Sequence, residues 1–286
     1  MASYTPLRYP GGKAKLYNFV SELIKDNFTE PPVYVEGYAG GSGLALKLLL
    51  NNDVSKIYIN DYDYAIYAFW YSLLNRTDEF IELINNTPVT VEQWRIQKDI
   101  YLNPNTDVLT KGFSAFFLNR TNRSGIITAG PIGGYQQLGN YKIDCRFNKD
   151  KLIENIRTIA DRKEDIHVYN LDGVEFLQQI DNQENNALIY LDPPYVEQGK
   201  ALYKNAFDEQ AHRALASSVG ELQNKWFVTY DDNPLIVELY NGFGINRFEI
   251  GYTVEKKRRA LEIAVFSPRL VNIDVEKMTK KQKVSE

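Results

Sequence analysis

The chain has 286 residues, of which 44% are hydrophobic and 24% charged, and its formal net charge is −4. This composition is typical of a globular protein with one sizeable core and an inserted or appended subdomain. One cysteine and two histidines, Cys145, His167 and His212, exclude an internal disulfide and leave too few ligands for a zinc site. No apolar run approaches the ~20 residues that span a bilayer, and no export signal is visible, so we expect a cytoplasmic enzyme.

Basic residues are concentrated in two segments of a chain that is acidic overall. Residues 110–151 hold seven basic and two acidic side chains, a local charge of +5, and residues 256–286 hold nine and four, again +5. Basic segments on an acidic body are typical of a face that binds nucleic-acid phosphates. The alternative for residues 277–286 is a solvated, frayed tail.

The first part of the chain predicts a strand, a glycine-rich turn, a helix and a second strand. Their ranges are 33–36, 37–43, 44–50 and 56–60. Asp61 follows the second strand, 21 residues after Gly40. In this arrangement backbone amides face a nucleotide-like ligand and the acid accepts hydrogen bonds from ribose hydroxyls. The pattern does not distinguish NAD from S-adenosylmethionine, because both carry an adenosine ribose.

A helix over residues 64–74 continues the α/β alternation, which then stops until a third strand at residues 165–170. We interpret residues 76–147 as an insertion between two parts of one domain, 1–75 and 148–286. Within the insertion, residues 78–118 predict helices, and the glycine-rich stretch 126–141 predicts a long hairpin or a flexible loop. The remaining predicted elements are a helix at 150–160 and strands at 187–191, 226–230, 247–254 and 260–266.

The tetrapeptide Asp192-Pro193-Pro194-Tyr195 follows directly on the predicted strand 187–191. It offers a carboxylate and a backbone carbonyl as acceptors, Pro-Pro has no competing amide hydrogen, and the tyrosine ring offers a face for stacking. Two acceptors on the hydrogens of an exocyclic amine would turn its delocalised lone pair out of the ring plane. The tetrapeptide therefore indicates methylation of adenine, and the alternative is an ordinary strand followed by a turn.

Three acids are predicted to follow the carboxyl ends of strands. They are Asp61, Asp172 and Asp192. Open α/β sheets bind their ligands at this edge, so we expect the three acids to surround one site. Each acid alone has a structural alternative, because aspartate is common at strand exits and helix caps.

The chain resembles the Dam-like DNA adenine methyltransferases. The resemblance is carried, in the family's order, by Leu7–Lys13, Val35–Gly41, Leu118–Gly125 and the tetrapeptide at 192. It implies an α/β fold: a Rossmann-like methyltransferase sheet with a terminal antiparallel hairpin, plus an inserted, mostly helical target-recognition subdomain. It also implies S-adenosylmethionine as cofactor, S-adenosylhomocysteine as product and no metal, in a protein encoded by a prokaryote or a phage.

The resemblance implies roles for individual residues. Cofactor contacts would be made by Tyr9, Lys13, Glu36, Tyr38, Gly40, Asp61, Asp172 and Asp192. In this set, Tyr9 and Lys13 would lie near the methionine part, Asp61 would hold the ribose and Asp172 would contact the adenine ring. The catalytic residues serving the target base would be Asp192, Pro193, Pro194 and Tyr195. The alternative for Lys13 is a surface charge after a glycine turn.

The implied partner is double-stranded DNA. Its contacts are assigned to Arg120, Asn122, Arg123, Ser124, Lys256 and Arg258. Arg120 and Arg123 would clamp phosphates or read bases, or else anchor the insertion through internal ion pairs. The run Lys256–Arg259 is expected to form a DNA-facing turn between the last two strands. We expect a monomer, with a cognate restriction endonuclease as a further partner.

Two segments depart from the family's pattern. The family's cofactor motif reads Phe-x-Gly-x-Gly, whereas Tyr38, Gly40 and Ser42 stand at the aligned positions. GATC-specific members carry Tyr-Asn-Gly-Leu-Cys-Arg in the recognition loop, and Arg123–Thr128 of this chain lacks their base-reading arginine. The GATC specificity therefore does not carry over.

These observations together predict a site-specific DNA-methyltransferase that modifies the exocyclic amine of a flipped-out adenine. Two rivals stay open: an amine methyltransferase acting on RNA adenine or on cytosine, and a DNA-binding regulator that keeps the fold without turnover. A dinucleotide dehydrogenase is a remote third reading, since no acid or base for hydride transfer follows the first strand.

Overall fold

The computed structural model describes residues 4–8, 13–196, 207–254 and 256–279, with the backbone alone at 250–254, 256–260 and 279. Seven strands form one mixed sheet in the order β3-β2-β1-β4-β5-β7-β6. They are β1 (Val33–Glu36), β2 (Lys56–Asn60), β3 (Ile166–Tyr169), β4 (Ala187–Leu191), β5 (Lys225–Asp231), β6 (Ile245–Val254) and β7 (Lys256–Phe266). Strands β1 to β5 pair in parallel, and β7 is antiparallel to both β5 and β6. The predicted α/β sheet with a terminal antiparallel hairpin is confirmed.

Helices cover both faces of the sheet. Those described are α1 (Tyr17–Asn27), α2 (Gly43–Leu50), α3 (Tyr64–Asn75), α4 (Thr77–Asn86), α5 (Val91–Leu102), α6 (Val108–Thr121), α7 (Lys149–Ala160), α8 (Gly173–Gln183), α9 (Glu209–Glu221), α10 (Pro234–Leu239) and α11 (Glu276–Thr279), with 3-10 turns at Lys13–Leu16, Arg123–Gly125 and Lys163–Asp165. Side-chain caps fix where several begin: Asp63, Asp107 and Asn148 accept hydrogen bonds from first-turn amides of α3, α6 and α7.

Alternate residues of the central strands enter two separate cores, as expected for a parallel sheet covered on both faces. Tyr34 of β1 packs in the core formed with α1, α2, α3, α6 and α7. Its neighbours Val33 and Val35 pack on the opposite face, in the core formed with α8, α9 and α10. All four residues of β1 are buried, which explains why Val33, Tyr34 and Val35 are consecutive apolar residues rather than alternating with polar ones.

The helices predicted for the insertion extend the first core. The rings of Phe69 on α3 and Phe116 on α6 stack with centroids 5.8 Å apart, and Phe116 shares a buried cluster with Ile57 of β2. The division into a catalytic domain and an inserted subdomain stays a prediction.

Residues 126–141 form a loop without a strand ladder, so the hairpin alternative is wrong. Pairing is limited to one isolated bridge between Asn122 and Pro131. Gly133 and Gly134 adopt positive φ angles of 81° and 74°, which reverse the chain. The Gln137 amide donates to the carbonyl of Ile132 and accepts from the backbone N–H of Ile143, replacing the hydrogen bonds that a strand partner would make.

The basic run Lys256–Arg259 is not a turn, which corrects the expectation from sequence. Strand β7 begins at Lys256, and every residue from Lys256 to Glu262 pairs with β6 through the backbone. The ladder runs unbroken from Ile245 opposite Val265 to Val254 opposite Lys256. Because ten consecutive pairs form, strand pairing continues through the charged residues and outweighs their polarity.

Candidate functional site

Asp192 stands immediately after β4, at the carboxyl edge of the sheet. Its Oδ1 accepts hydrogen bonds from Lys13 Nζ at 2.9 Å and from Thr229 Oγ1 at 3.0 Å. Within the described part of the chain, Oδ2 has no hydrogen-bond partner, and 25% of the side chain is exposed. One carboxylate oxygen is therefore fixed, and the other is available to a ligand.

Lys13 links the N-terminal 3-10 turn to the Asp-Pro-Pro-Tyr segment. Its side chain is 7% exposed, and its Nζ donates to the Tyr195 hydroxyl at 2.8 Å as well as to Asp192. The same Nζ lies 5.2 Å from the centroid of the Tyr195 ring, within the range of a cation–π contact. The surface-charge alternative for Lys13 is wrong, because this lysine is buried beside two partners.

Two side chains of this cluster were missed by sequence reasoning. Glu262 of β7 is 1% exposed, accepts a hydrogen bond from the Tyr195 hydroxyl at 2.7 Å and lies 3.8 Å from Lys13 Nζ. Thr229 of β5 joins Asp192 to the Tyr190 hydroxyl, 2.8 Å away. Neither belongs to a motif. The one available signal was a glutamate inside the apolar run that ends at Phe266.

The electrostatics of the cluster follow from its burial. Burial raises the pKa of Glu262 to about 7, although the charge on Lys13 acts in the opposite direction. Burial, together with the charges of Asp192 and Glu262, holds the pKa of Tyr195 well above its usual value. The tyrosine hydroxyl therefore stays protonated and donates to Glu262.

The glycine-rich turn after β1 has the backbone geometry of a ligand-facing loop. Gly40 and Ser42 both lie in the left-handed region, with φ angles of 46° and 43°. Ser42, at a position where the family's pattern has glycine, thus adopts a conformation that favours glycine. Beneath it, Glu36 accepts hydrogen bonds from the Ala45 amide and the Tyr34 hydroxyl. Burial raises the pKa of Glu36 to about 8.

Asp61 closes the same turn from the end of β2. Its Oδ2 accepts from the Gly40 amide at 2.8 Å and its Oδ1 from the Asp63 amide at 2.9 Å. Burial raises the pKa of Asp61 to about 7 despite these two bonds. The neighbouring Asn60 is 1% exposed and ties the loops after β1 and β3 together through Gly37 and Leu171. Sequence reasoning passed over Asn60.

Asp172 and Tyr38 lie together at the start of α8. Asp172 is exposed and caps the helix by accepting from the Val174 amide at 2.9 Å. The Tyr38 hydroxyl is buried, and it has no hydrogen-bond partner among the described residues. A Cβ on Gly173 would lie 2.6 Å from this hydroxyl, so glycine is what lets the tyrosine approach the helix. An unpartnered buried hydroxyl beside a ligand-binding edge suits a polar ligand.

Arg120 and Asn122, both predicted to contact DNA, make internal hydrogen bonds. Arg120 donates through Nε to the Arg146 carbonyl at 2.8 Å, and burial lowers its pKa to about 10. This favours the anchoring alternative, through carbonyls rather than ion pairs. Asn122 is 0% exposed: its Oδ1 accepts from Trp94 Nε1 at 2.5 Å, and its Nδ2 donates to the carbonyls of Ile126 and Ile127. The amide of Asn122 is therefore engaged in shaping the loop.

Arg123 and Ser124 lie on the outer side of the same loop. Arg123 is exposed and has no ion-pair partner in the part of the chain that is described. Ser124 is partly exposed and has a left-handed φ of 56°, followed by Gly125 at 77°. A Cβ on Gly125 would lie 2.3 Å from the Arg8 carbonyl, so glycine permits the loop to pack on the N-terminal segment.

Three further residues were predicted to make contacts: Lys256, Arg258 and Tyr9. Lys256 and Arg258 belong to β7, where only their backbone pairing is described. Tyr9 lies outside the described residues. Elsewhere in the described ranges, no helix has the length and apolarity to cross a membrane, and no group of three potential metal ligands occurs.

A comparison with known protein families finds one family whose sequence model matches this chain. The sequence model of the D12 class N6 adenine-specific DNA methyltransferases matches residues 9–254, which is most of the chain. A search of curated proteins finds no match.

Comparison with solved structures finds methyltransferases that resemble this chain at low sequence identity. A candidate RNA methyltransferase from Pyrococcus horikoshii is 13% identical, with 91% of this chain and 85% of that chain covered and a TM-score of 0.42. The ribosomal RNA methyltransferase AviRa from Streptomyces viridochromogenes is also 13% identical, with 90% and 85% covered and a TM-score of 0.41. Scores this low support no inference about substrate.

Proposed function

The chain belongs to the D12 class of N6 adenine-specific DNA methyltransferases, and from this premise we propose that it methylates the exocyclic amine of an adenine flipped out of duplex DNA. The methyl donor is S-adenosylmethionine. The observation that carries the proposal is Asp192, whose Oδ1 is held by Lys13 and Thr229 while Oδ2 is left for a ligand. A fixed acceptor at a strand end, next to an aromatic ring, suits a planar base with an amine.

The carboxyl edge of β1, β2 and β3 fits the proposed cofactor. The left-handed turn at Gly40 leaves the backbone open to a close ligand, and Asp61 lies beside it as an acceptor for ribose hydroxyls. The buried Tyr38 hydroxyl lacks a protein partner among the described residues and would be satisfied by a polar group of the ligand. When bound, S-adenosylmethionine supplies a methyl group on a positively charged sulfonium.

The residues around Asp192 would align the amine and stabilise charge. Asp192 Oδ2 accepts one amine hydrogen and the Pro193 carbonyl accepts the other, while the Tyr195 ring stacks on the base. Flipping a base costs a few kcal/mol, which stacking and hydrogen bonding at this edge offset. Positive charge develops on the amine nitrogen during transfer, and the Asp192 carboxylate stabilises it. The amine proton is then released to solvent.

The loop around Arg123 would face the DNA backbone. Arg123 is exposed, and Arg120 and Asn122 hold the loop in place from within. Residues 110–151 carry the first of the two positive segments, so phosphate contact here is favoured by charge.

Tritiated methyl transfer with the Asp192→Ala variant tests the proposal. The substrates are double-stranded DNA from a methylation-deficient host, the same DNA made single-stranded, and RNA, followed by identification of the methylated nucleoside. We expect N6-methyladenine in double-stranded DNA with the wild type and no transfer with Asp192→Ala. S-adenosylmethionine binding, measured by calorimetry, should stay largely intact in the variant.

Asp26→Ala, at an exposed position on α1, is the matched control and should keep full activity. Full activity of Asp192→Ala would refute the role of Asp192. Methylation of RNA or of cytosine in place of DNA adenine would refute the proposed substrate.

A further inference from the structure

A continuous chain of hydrogen bonds leads from Asp192, the proposed acceptor of the amine, to the buried carboxylate of Glu262 on β7. Asp192 Oδ1 accepts from Lys13 Nζ at 2.9 Å, Lys13 Nζ donates to the Tyr195 hydroxyl at 2.8 Å, and this hydroxyl donates to Glu262 Oε1 at 2.7 Å. Glu262 Oε2 is also 3.8 Å from Lys13 Nζ. One ammonium group therefore lies between two carboxylates.

Because this cluster is buried, the charge of Glu262 acts strongly on its neighbours. Glu262 and Lys13 are 1% and 7% exposed, so water screens their interaction little. The groups that face Glu262 are Lys13 from the N-terminal turn, Asp192 and Tyr195 from the segment after β4, and Asp231, which is directly opposite on β5. Burial raises the pKa of Glu262 to about 7, and the nearby aspartates act in the same direction. Near neutral pH, both charge states of Glu262 are therefore populated.

The charge state of Glu262 changes what Lys13 does to Asp192. When Glu262 is protonated, the charge of Lys13 acts mainly on Asp192 and weakens it as an acceptor. When Glu262 is ionised, it attracts the ammonium group and leaves Asp192 with more negative charge for the amine. In both states, the hydrogen bond from Tyr195 to Glu262 holds the ring that would stack on the base.

We propose that Glu262 is a positioning residue for methyl transfer, which holds the Tyr195 ring and, when ionised, draws the charge of Lys13 away from Asp192. This inference rests on the proposed function. Glu262 lies beyond residue 254, where the match to the family model ends. The role is assigned from the contacts of Glu262 in the fold.

Single-turnover methyl transfer measured from pH 6 to pH 8 tests the inference, with saturating cofactor and unmethylated double-stranded DNA. The variant is Glu262→Gln, which keeps an acceptor for Tyr195 but cannot ionise. We expect the ratio of wild-type to variant rate to rise from pH 6 to pH 8, since the ionised fraction of a carboxyl group with a pKa of about 7 rises roughly tenfold over this range. Taking the ratio cancels other ionisations, such as that of Asp61, which both proteins share.

Glu184→Gln is a matched control at the opposite edge of the sheet. Glu184 accepts a hydrogen bond from the Tyr58 hydroxyl at 2.7 Å and pairs with Lys56 at 3.4 Å, so it repeats the tyrosine, glutamate and lysine chemistry away from the site. Its rate ratio should stay near 1 at every pH.

The outcomes separate the two proposals. A rate ratio for Glu262→Gln that is the same at every pH, whether near 1 or large, would overturn the positioning role while leaving DNA methylation in place. A wild type that transfers no methyl group to DNA at any pH would overturn both the proposed function and this inference.

Discussion

Asp61 accepts a hydrogen bond from the backbone N–H of Gly40 at 2.8 Å, which ties the end of β2 to the left-handed turn after β1. The acid that sequence spacing assigned to a ribose is thus also a support for the turn that would face the same ligand. Each carboxylate oxygen has a second lone pair, so Asp61 can hold the turn and accept from a ligand at once.

Replacing Asp61 by Asn should weaken cofactor binding. The asparagine side chain offers one acceptor oxygen in place of two. Its NH2 group would therefore face the backbone N–H of either Gly40 or Asp63, which is a donor as well. Loss of a charged hydrogen bond of about 1.5–3 kcal/mol predicts a roughly tenfold to hundredfold higher Kd for S-adenosylmethionine. Calorimetry measures it, and Asp107→Asn, at the exposed cap of α6, is the control. An unchanged Kd for Asp61→Asn would show that this carboxylate has no part in binding.

The stability of the protein should respond to pH through Glu36. Burial raises its pKa from 4.5 to about 8, so between these values the folded protein keeps a proton that the unfolded chain has released. Raising the pH through this window therefore lowers the free energy of unfolding. In Glu36→Gln this loss is absent, so we expect the stability of the variant relative to the wild type to rise by roughly 4 kcal/mol between pH 5 and pH 9.

Urea unfolding of both proteins at pH 5, 7 and 9 measures the effect. The oxygen of the glutamine amide can still accept from Ala45, so the comparison isolates the ionisation. Parallel pH curves for the two proteins would show that Glu36 does not titrate in this range.

Ser42 should tolerate glycine and reject a β-branched residue. Its φ of 43° is unfavourable for side chains with a Cβ by about 1–2 kcal/mol, and Ser42 recovers part of this through its hydrogen bond to the Ala39 carbonyl. We expect Ser42→Gly to remain within about 1 kcal/mol of the wild type and Ser42→Val to lose more than about 2 kcal/mol. Thermal unfolding checks the order, and equal stability of the two variants would contradict it.

Asn122→Ala should destabilise the fold as well as the loop. The substitution removes three hydrogen bonds and leaves the buried Trp94 indole N–H without its partner. We expect a loss of about 2–4 kcal/mol in the free energy of unfolding, together with weaker DNA binding. Urea unfolding and filter binding measure the two effects. Wild-type stability of this variant would mean that the loop does not depend on the buried amide.

Arg123→Ala, one residue away, provides the contrast. Because Arg123 is exposed, its removal should leave stability unchanged, weaken DNA binding and reduce the slope of log affinity against log salt by about 1. A variant with an unaltered salt slope would place Arg123 away from the phosphates.

The sequence by itself determined the sheet and the residues at its carboxyl edge. Strands of a parallel sheet are buried on both faces, so their apolar runs stand out, and β1, β2 and β4 were predicted at their observed bounds. Motif order then brought Asp61, Asp172 and Asp192 to one edge, because parallel strands all end there. Local patterns of this kind need no knowledge of distant contacts.

Tertiary structure alone decided which side chains complete the cluster around Asp192. Thr229 reaches it because β5 pairs with β4, and Glu262 because β7 inserts between β5 and β6, a strand order that no local pattern specifies. The same pairing turned the expected basic turn into strand, and burial converted Asn122 from an expected DNA contact into a support of the loop. Burial, strand order and the pKa values that follow from them depend on residues far apart in the chain, which is why the sequence did not disclose them.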